Sequence, residues 1–204
     1  MTEENKNKNK VERLNMTKII TYTAVTVALT TAGAYVRIPF YPAPLTLQTL
    51  FSVLSGAVLG YKYGPLSQFI YITLGLAGLP VFASGGGIAY VFSPTFGYLL
   101  GFALCSFVTG LILHILKLKY KRVKTFAYGV YFAACLIGML CVYITGVPYL
   151  FVILNVAHNV NVAHKELSYF LTSGFLYFIP GDILKAAAAA AVIKLLNSRI
   201  NYQL

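Results

Sequence analysis

The chain has no tryptophan, three cysteines and five acidic residues among 204. Each shortage excludes something. The acids are Glu3, Glu4, Glu12, Glu166 and Asp182, so Asp182 alone lies inside an apolar stretch. An intramembrane aspartyl protease needs two carboxylates sharing a proton, and Asp182 has no second one to pair with. Cys105, Cys135 and Cys141 sit in apolar segments without metal-ligand spacing and read as small buried hydrophobes. His158 and His164 are six residues apart, too far for one face of a helical turn, and His114 reads as structural. No G-x-S-x-G, H-E-x-x-H or G-x-x-x-x-G-K-[ST] motif occurs. These absences point away from an enzyme, and to a chain with no metal and no cofactor of its own.

Charge is scarce as well. Charged residues make up 10% of the chain, against about 25% in soluble domains. Hydrophobic residues make up 58%, and the mean hydropathy is +0.74. This is the composition of an integral membrane protein. Residues 19–36 and 45–61 are uncharged, and residues 63–116 and 125–164 contain no Asp, Glu, Lys or Arg. A spanning helix needs about 20 apolar residues. The two short runs supply one helix each. The run from 63 supplies two, broken near 83–94, and the next supplies one from 125 to about 146, followed by an irregular or interfacial stretch. A last helix follows Pro180. The expectation is an all-α membrane protein with six transmembrane helices. Residues 1–16 are polar and Asn/Lys-rich, as in a disordered cytoplasmic tail. The membrane domain then covers 17–198, with a cytoplasmic C-terminus at 199–204. The first hydrophobic segment is too long for a signal core and is expected to stay as the first helix.

The net charge of +11 is unevenly distributed. Thirteen of the sixteen basic residues fall in residues 1–18, at Lys62, in the stretch Lys117–Lys124, or at Lys194 and Arg199. Arg37 and Lys165 fall on the opposite side. The positive-inside rule then places both termini in the cytoplasm of a multi-pass protein of the plasma membrane. Nucleic-acid binding is the competing reading of the basic charge, but no nucleic-acid motif accompanies it.

Asp182 and Lys185 stand three apart in P-G-D-I-L-K, at the head of an alanine-rich run. Residues i and i+3 share a helix face, and ionisable groups within a membrane mark functional sites by default. The rival reading is an internal ion pair that fixes the bundle. Ala24, Ala28 and Ala32 recur every four residues on the first helix, a stripe that admits close approach of another helix. That neighbour is either inside the same bundle or a partner. Ser52, Gly56 and Gly60, and then Gly97 and Gly101, repeat the device. Pro39, Pro42 and Pro44 stiffen the first outer connection. With Phe40 and Tyr41 it reads as a lid or as an interfacial turn.

In order along the chain stand I-P-F-Y-P-A-P-L-T-L-Q-T-L, L-G-Y-K-Y-G-P-L-S-Q, G-L-P-V-F-A-S-G-G-G, P-T-F-G-Y-L-L-G-F and F-I-P-G-D-I-L-K-A. In these motifs the chain resembles the BioY family, the biotin-binding S components of energy-coupling factor (ECF) vitamin transporters, over residues 17–196. The resemblance implies a six-helix S-component fold and an outward-facing biotin pocket. It also implies docking, through the A-x-x-x-A pattern of Ala24, Ala28 and Ala32, onto a membrane coupling subunit driven by two ABC-type ATPases, which use the ATP. The candidate substrate-binding residues are Asp182, Lys185, Gln48, Tyr41, Gly86 and Tyr90. An S component for another small vitamin, and a solitary proton-coupled carrier using Asp182, are the alternatives.

Overall fold

The computed structural model describes residues 3–120, 127–157 and 167–199. Lys121, Arg122 and Lys124, the segment holding His158, His164, Lys165 and Glu166, and residues 200–204 lie outside the described residues. Helix α1 (Glu3–Tyr35) starts where the sequence predicts a disordered tail. The tail contains neither Gly nor Pro, and its Glu, Lys, Arg and Leu residues favour a helix. Past residue 16, one face of α1 is buried at Thr23, Thr26, Val27, Thr30 and Ala34. The threonines of this face bond within the helix: Thr26 donates to the Thr23 carbonyl and Thr30 to the Thr26 carbonyl. Hydroxyls satisfied in this way can be buried at little cost.

A short antiparallel ribbon follows, β1 (Arg37–Ile38) and β2 (Leu45–Thr46), with Arg37 opposite Thr46. Next is α2 (Gln48–Leu76), which is helically continuous except at Gly60, where φ is 74° and ψ is −178°. The chain reverses there. Gln48 Nε2 donates to the Tyr71 hydroxyl at 2.6 Å, and Gln68 Nε2 donates to Ser55 Oγ at 3.1 Å. A Cβ on Gly64 would lie 2.8 Å from Gly56 Cα. Residues 48–59 and 61–76 are thus two antiparallel arms folded at a glycine. A left-handed φ with open space around it suits that residue. Pro65 falls near the start of the second arm, where a missing N–H is tolerated.

Helix α3 (Phe96–Lys119) packs on both arms of α2, and α4 (Tyr128–Val152) packs on α3. The contacts are close because glycines line them. A Cβ on Gly56 would meet the Ser106 carbonyl at 2.1 Å, and one on Gly101 would meet the Val142 carbonyl at 2.7 Å. The small-residue patterns of the second and fourth hydrophobic segments are therefore used inside the bundle.

Helix α4 runs through Pro148 and passes into a π-helical turn, Ile153–Ala157, where the sequence predicts a break near 146. Membrane helices tolerate an internal proline because neighbouring groups satisfy the freed carbonyl. A short α5 (Leu167–Gly174) and a 3-10 turn (Leu176–Phe178) lead to α6 (Ile179–Arg199). Among the described residues, Phe96–Lys119, Tyr128–Asn155 and Ser168–Leu196 are long and apolar enough to cross a membrane. The protein is largely helical.

Candidate binding cavity

The last helix begins I-P-G-D, which places Asp182 in the first turn of α6, where the helix dipole favours an anion. Gly181 brings that turn against β2, since a Cβ there would lie 3.2 Å from Leu45. One turn on, Lys185 lies on the same face. Both side chains are buried, at 5% and 8% exposure. The Lys185 ammonium donates to Asp182 Oδ1 at 2.7 Å and to Thr49 Oγ1 of α2 at 2.8 Å. The Tyr143 hydroxyl of α4 donates to the other carboxylate oxygen, Asp182 Oδ2.

These groups line a cavity of about 50 Å³, well below the ~300–1,000 Å³ typical of small-molecule sites. Ala43, Pro44 and Thr46 of the ribbon and Ala83, Tyr90 and Thr95 of the 77–95 connection border it. Leu99, Phe102, Val142 and Phe178 add apolar wall. Polar groups around the rim satisfy one another. Thr46 donates to Gln48 Oε1 at 2.9 Å, Gln48 to the Tyr71 hydroxyl, and Tyr71 to the Val81 carbonyl at 2.9 Å. The Tyr90 hydroxyl lies 3.0 Å from Thr95 Oγ1.

Of the six predicted contact residues, Asp182, Lys185, Gln48 and Tyr90 line the cavity. Tyr41 and Gly86 do not. Tyr41 stands at the tip of the ribbon connection with 73% of its surface exposed, while Ala43 and Pro44 beside it turn inward. Gly86 is used for backbone packing: a Cβ there would meet the Leu79 carbonyl at 2.1 Å. Its neighbours Gly85 and Gly87 take φ of 112° and 105° to make the turns. Sequence reasoning missed Thr49, Tyr98 and Tyr143. Tyr98 stands in the P-T-F-G-Y motif and Thr49 beside Gln48, so their motifs carried a signal; Tyr143 had none beyond being a hydroxyl in an apolar run.

Among the described residues, the site has unused hydrogen-bonding capacity. A carboxylate offers about four lone-pair positions and an ammonium three donors; Lys185 and Tyr143 take two of the first, and Asp182 and Thr49 two of the second. A ligand that brings N–H donors for Asp182, an oxygen for Lys185 and an apolar body for the aromatic walls would complete it. Among the described residues no cluster of three or more His, Cys, Asp or Glu side chains could hold a metal.

The stripe of Ala24, Ala28 and Ala32 lies on the exposed side of α1, opposite the threonine face. Unlike the glycines of α2 and α3, it is exposed among the described residues.

Fold and cavity together define a helical membrane protein with a buried ion pair lining a small cavity. The chain belongs to the BioY family, whose model matches residues 4–202. It is 42% identical to a probable biotin transporter BioY of Lysinibacillus sphaericus over 167 residues, covering 82% of this chain and 80% of that one. It is 38% identical to the biotin transporter BioY of Thermotoga maritima, covering 81% of this chain and 87% of that one. The crystal structure of an S component for biotin from an ECF-type ABC transporter matches with a TM-score of 0.73 and 28% identity, over 98% of this chain and 96% of the other.

Proposed function

We propose that this chain is the biotin-binding S component of an ATP-dependent ECF-type importer and catalyses no reaction itself. The observation that carries the reading is the buried Asp182–Lys185 pair, each with unused hydrogen-bonding capacity, in a cavity walled by aromatic rings. Biotin offers two ureido N–H donors, a ureido carbonyl, an apolar bicycle with sulfur, and a valerate carboxylate. Asp182 accepts from the ureido N–H groups, and Lys185 donates to the carbonyl or the carboxylate. Sites built on buried polar partners discriminate strongly against analogues that lack the matching group. The names of its relatives agree with this ligand.

In this reading the two arms of α2, with α1, α3, α4 and α6, make six crossings of the plasma membrane, with both termini cytoplasmic. Two observations support the orientation. Gly60, His114 and Lys117 share one end of the bundle, and the cavity lies at the other, where Arg37 and Lys185 are the described basic residues. The exposed alanines of α1 meet a membrane coupling subunit, and two ABC-type ATPases supply the energy. Calorimetry of the purified chain with biotin, desthiobiotin, thiamine and riboflavin tests the proposal. Tight binding of biotin is expected, with desthiobiotin, which keeps the ureido group and the carboxylate, bound as well and thiamine and riboflavin not; preference for thiamine or riboflavin would overturn it.

A further inference from the structure

Tyr143 occupies a position that the pairing of Asp182 and Lys185 does not explain. It lies within the α4 span, faces the cavity, and is also part of a second surface. Beside it a lateral apolar groove runs between α4 and α5, lined by Leu140, Ile144, Val147, Phe151 and Phe175 among others. Tyr143 lines both spaces and forms part of the wall between them. Its ring packs edge-on to Phe175 at 4.9 Å and to Tyr98 at 6.2 Å. Its hydroxyl donates to Asp182 Oδ2. A phenylalanine would keep the wall and the ring contacts. What the hydroxyl adds is a second anchor on the carboxylate.

That anchor matters because the terminal torsion of aspartate is soft and roughly two-fold. Held at Oδ1 by Lys185 alone, the carboxylate plane rotates about the Cβ–Cγ bond. Held at both oxygens by groups from two different helices, it is fixed, and so are the directions of its free lone pairs. A ligand with N–H groups in a rigid ring needs acceptors whose direction is set before it arrives, since ordering them on binding weakens affinity. We infer that Tyr143 is a positioning residue for ligand recognition: it holds the Asp182 carboxylate in the plane that accepts the ureido N–H donors, while its ring closes the site off from the apolar groove. The inference rests on the biotin reading, and deepens it by naming what makes Asp182 selective.

The test compares biotin with a biotin analogue methylated on a ureido nitrogen, by calorimetry on the unmodified chain and on Tyr143→Phe, with the ligand-free melting midpoint in detergent as the check on folding. In the unmodified chain the methyl group, which removes one donor, should cost much of the affinity. In Tyr143→Phe, biotin should bind about tenfold more weakly. The ratio of the two ligands' affinities should also fall by about threefold or more, because residue and ligand group are coupled. A merely structural role would weaken both ligands equally and leave the ratio unchanged; that result overturns the inference, as does biotin binding at unmodified strength. If the unmodified chain binds no biotin, the functional reading fails first and the inference with it. If it binds biotin and the ratio is unmoved, only the role of Tyr143 fails.

Discussion

The Lys185 ammonium lies 2.8 Å from Thr49 Oγ1, although 136 residues separate them in sequence. The bond ties the first turns of α6 to the first turn of α2, across the cavity that both line. Together with the 2.7 Å contact to Asp182, it lets a cation remain buried. Thr49→Val removes the acceptor and leaves a second ammonium donor unpaired. An unsatisfied buried group costs about 1–3 kcal/mol, so the variant should melt at a lower temperature in detergent and bind biotin more weakly. An unchanged melting midpoint would mean that Lys185 does not depend on Thr49.

Ala28→Trp separates binding from transport. Ala24, Ala28 and Ala32 are exposed on α1, and the cavity is built from other elements. An indole at the middle of the stripe forces a partner helix away without reaching the cavity. Biotin affinity of the purified variant should be unchanged, while uptake by cells and co-purification of the coupling subunit should fall sharply. Normal uptake would remove the docking role from this face.

Gly56→Ala tests the close packing of the α2 reversal on α3. The added Cβ would lie 2.1 Å from the backbone carbonyl of Ser106, which has no freedom to move aside. Overpacking of this kind costs about 1–3 kcal/mol. The melting midpoint of the detergent-solubilised variant should drop, and a stability equal to that of the unmodified chain would contradict the packing described here.

Phe40 and Tyr41 test the lid. Both are exposed, and Ala43 and Pro44 a few residues on line the cavity. The 39–44 connection is therefore part of the cavity wall, with its aromatic side chains outside it. Replacing Phe40 and Tyr41 together by serine should raise the biotin off-rate more than it lowers the on-rate. An identical off-rate in stopped-flow or filter-binding measurements would make the connection an anchor only.

Several parts of this structure were legible in the sequence for physical reasons. Charge is so costly in an apolar segment that Asp182 and Lys185 stood out at once, and their spacing put them on one face. Gln48 and Tyr90, also predicted contacts, do line the cavity. The reversal at Gly60 was anticipated by Lys62, the charge that interrupts two apolar runs. Other parts were not legible. A glycine-rich run signals a ligand, a turn or a close backbone approach; Gly85 and Gly87 make turns, and Gly86 packs against the Leu79 carbonyl. Tyr41 lies in the right motif, but its neighbours carry the wall. Tyr143 is one of sixteen tyrosines and has no polar neighbour in sequence; its meaning comes from α6, 39 residues away. The sequence placed a helix end near 146, and α4 continues past it to Val152. The helical start of α1 at Glu3 was hidden by the polar, Asn-rich composition of the tail.

The most direct test of the central claim is the biotin affinity of purified Asp182→Asn beside the unmodified chain, measured by calorimetry with the melting midpoint of each. The amide keeps one acceptor oxygen, loses the charge that Lys185 and Tyr143 both address, and presents donors toward the donors of the ligand. Loss of a hydrogen bond to a charged group is worth about 1.5–3 kcal/mol. The account predicts binding weaker by roughly ten- to a hundredfold in a chain that still folds. Unchanged biotin affinity in Asp182→Asn would contradict it, and would make the pair with Lys185 a bundle-fixing contact that no ligand touches.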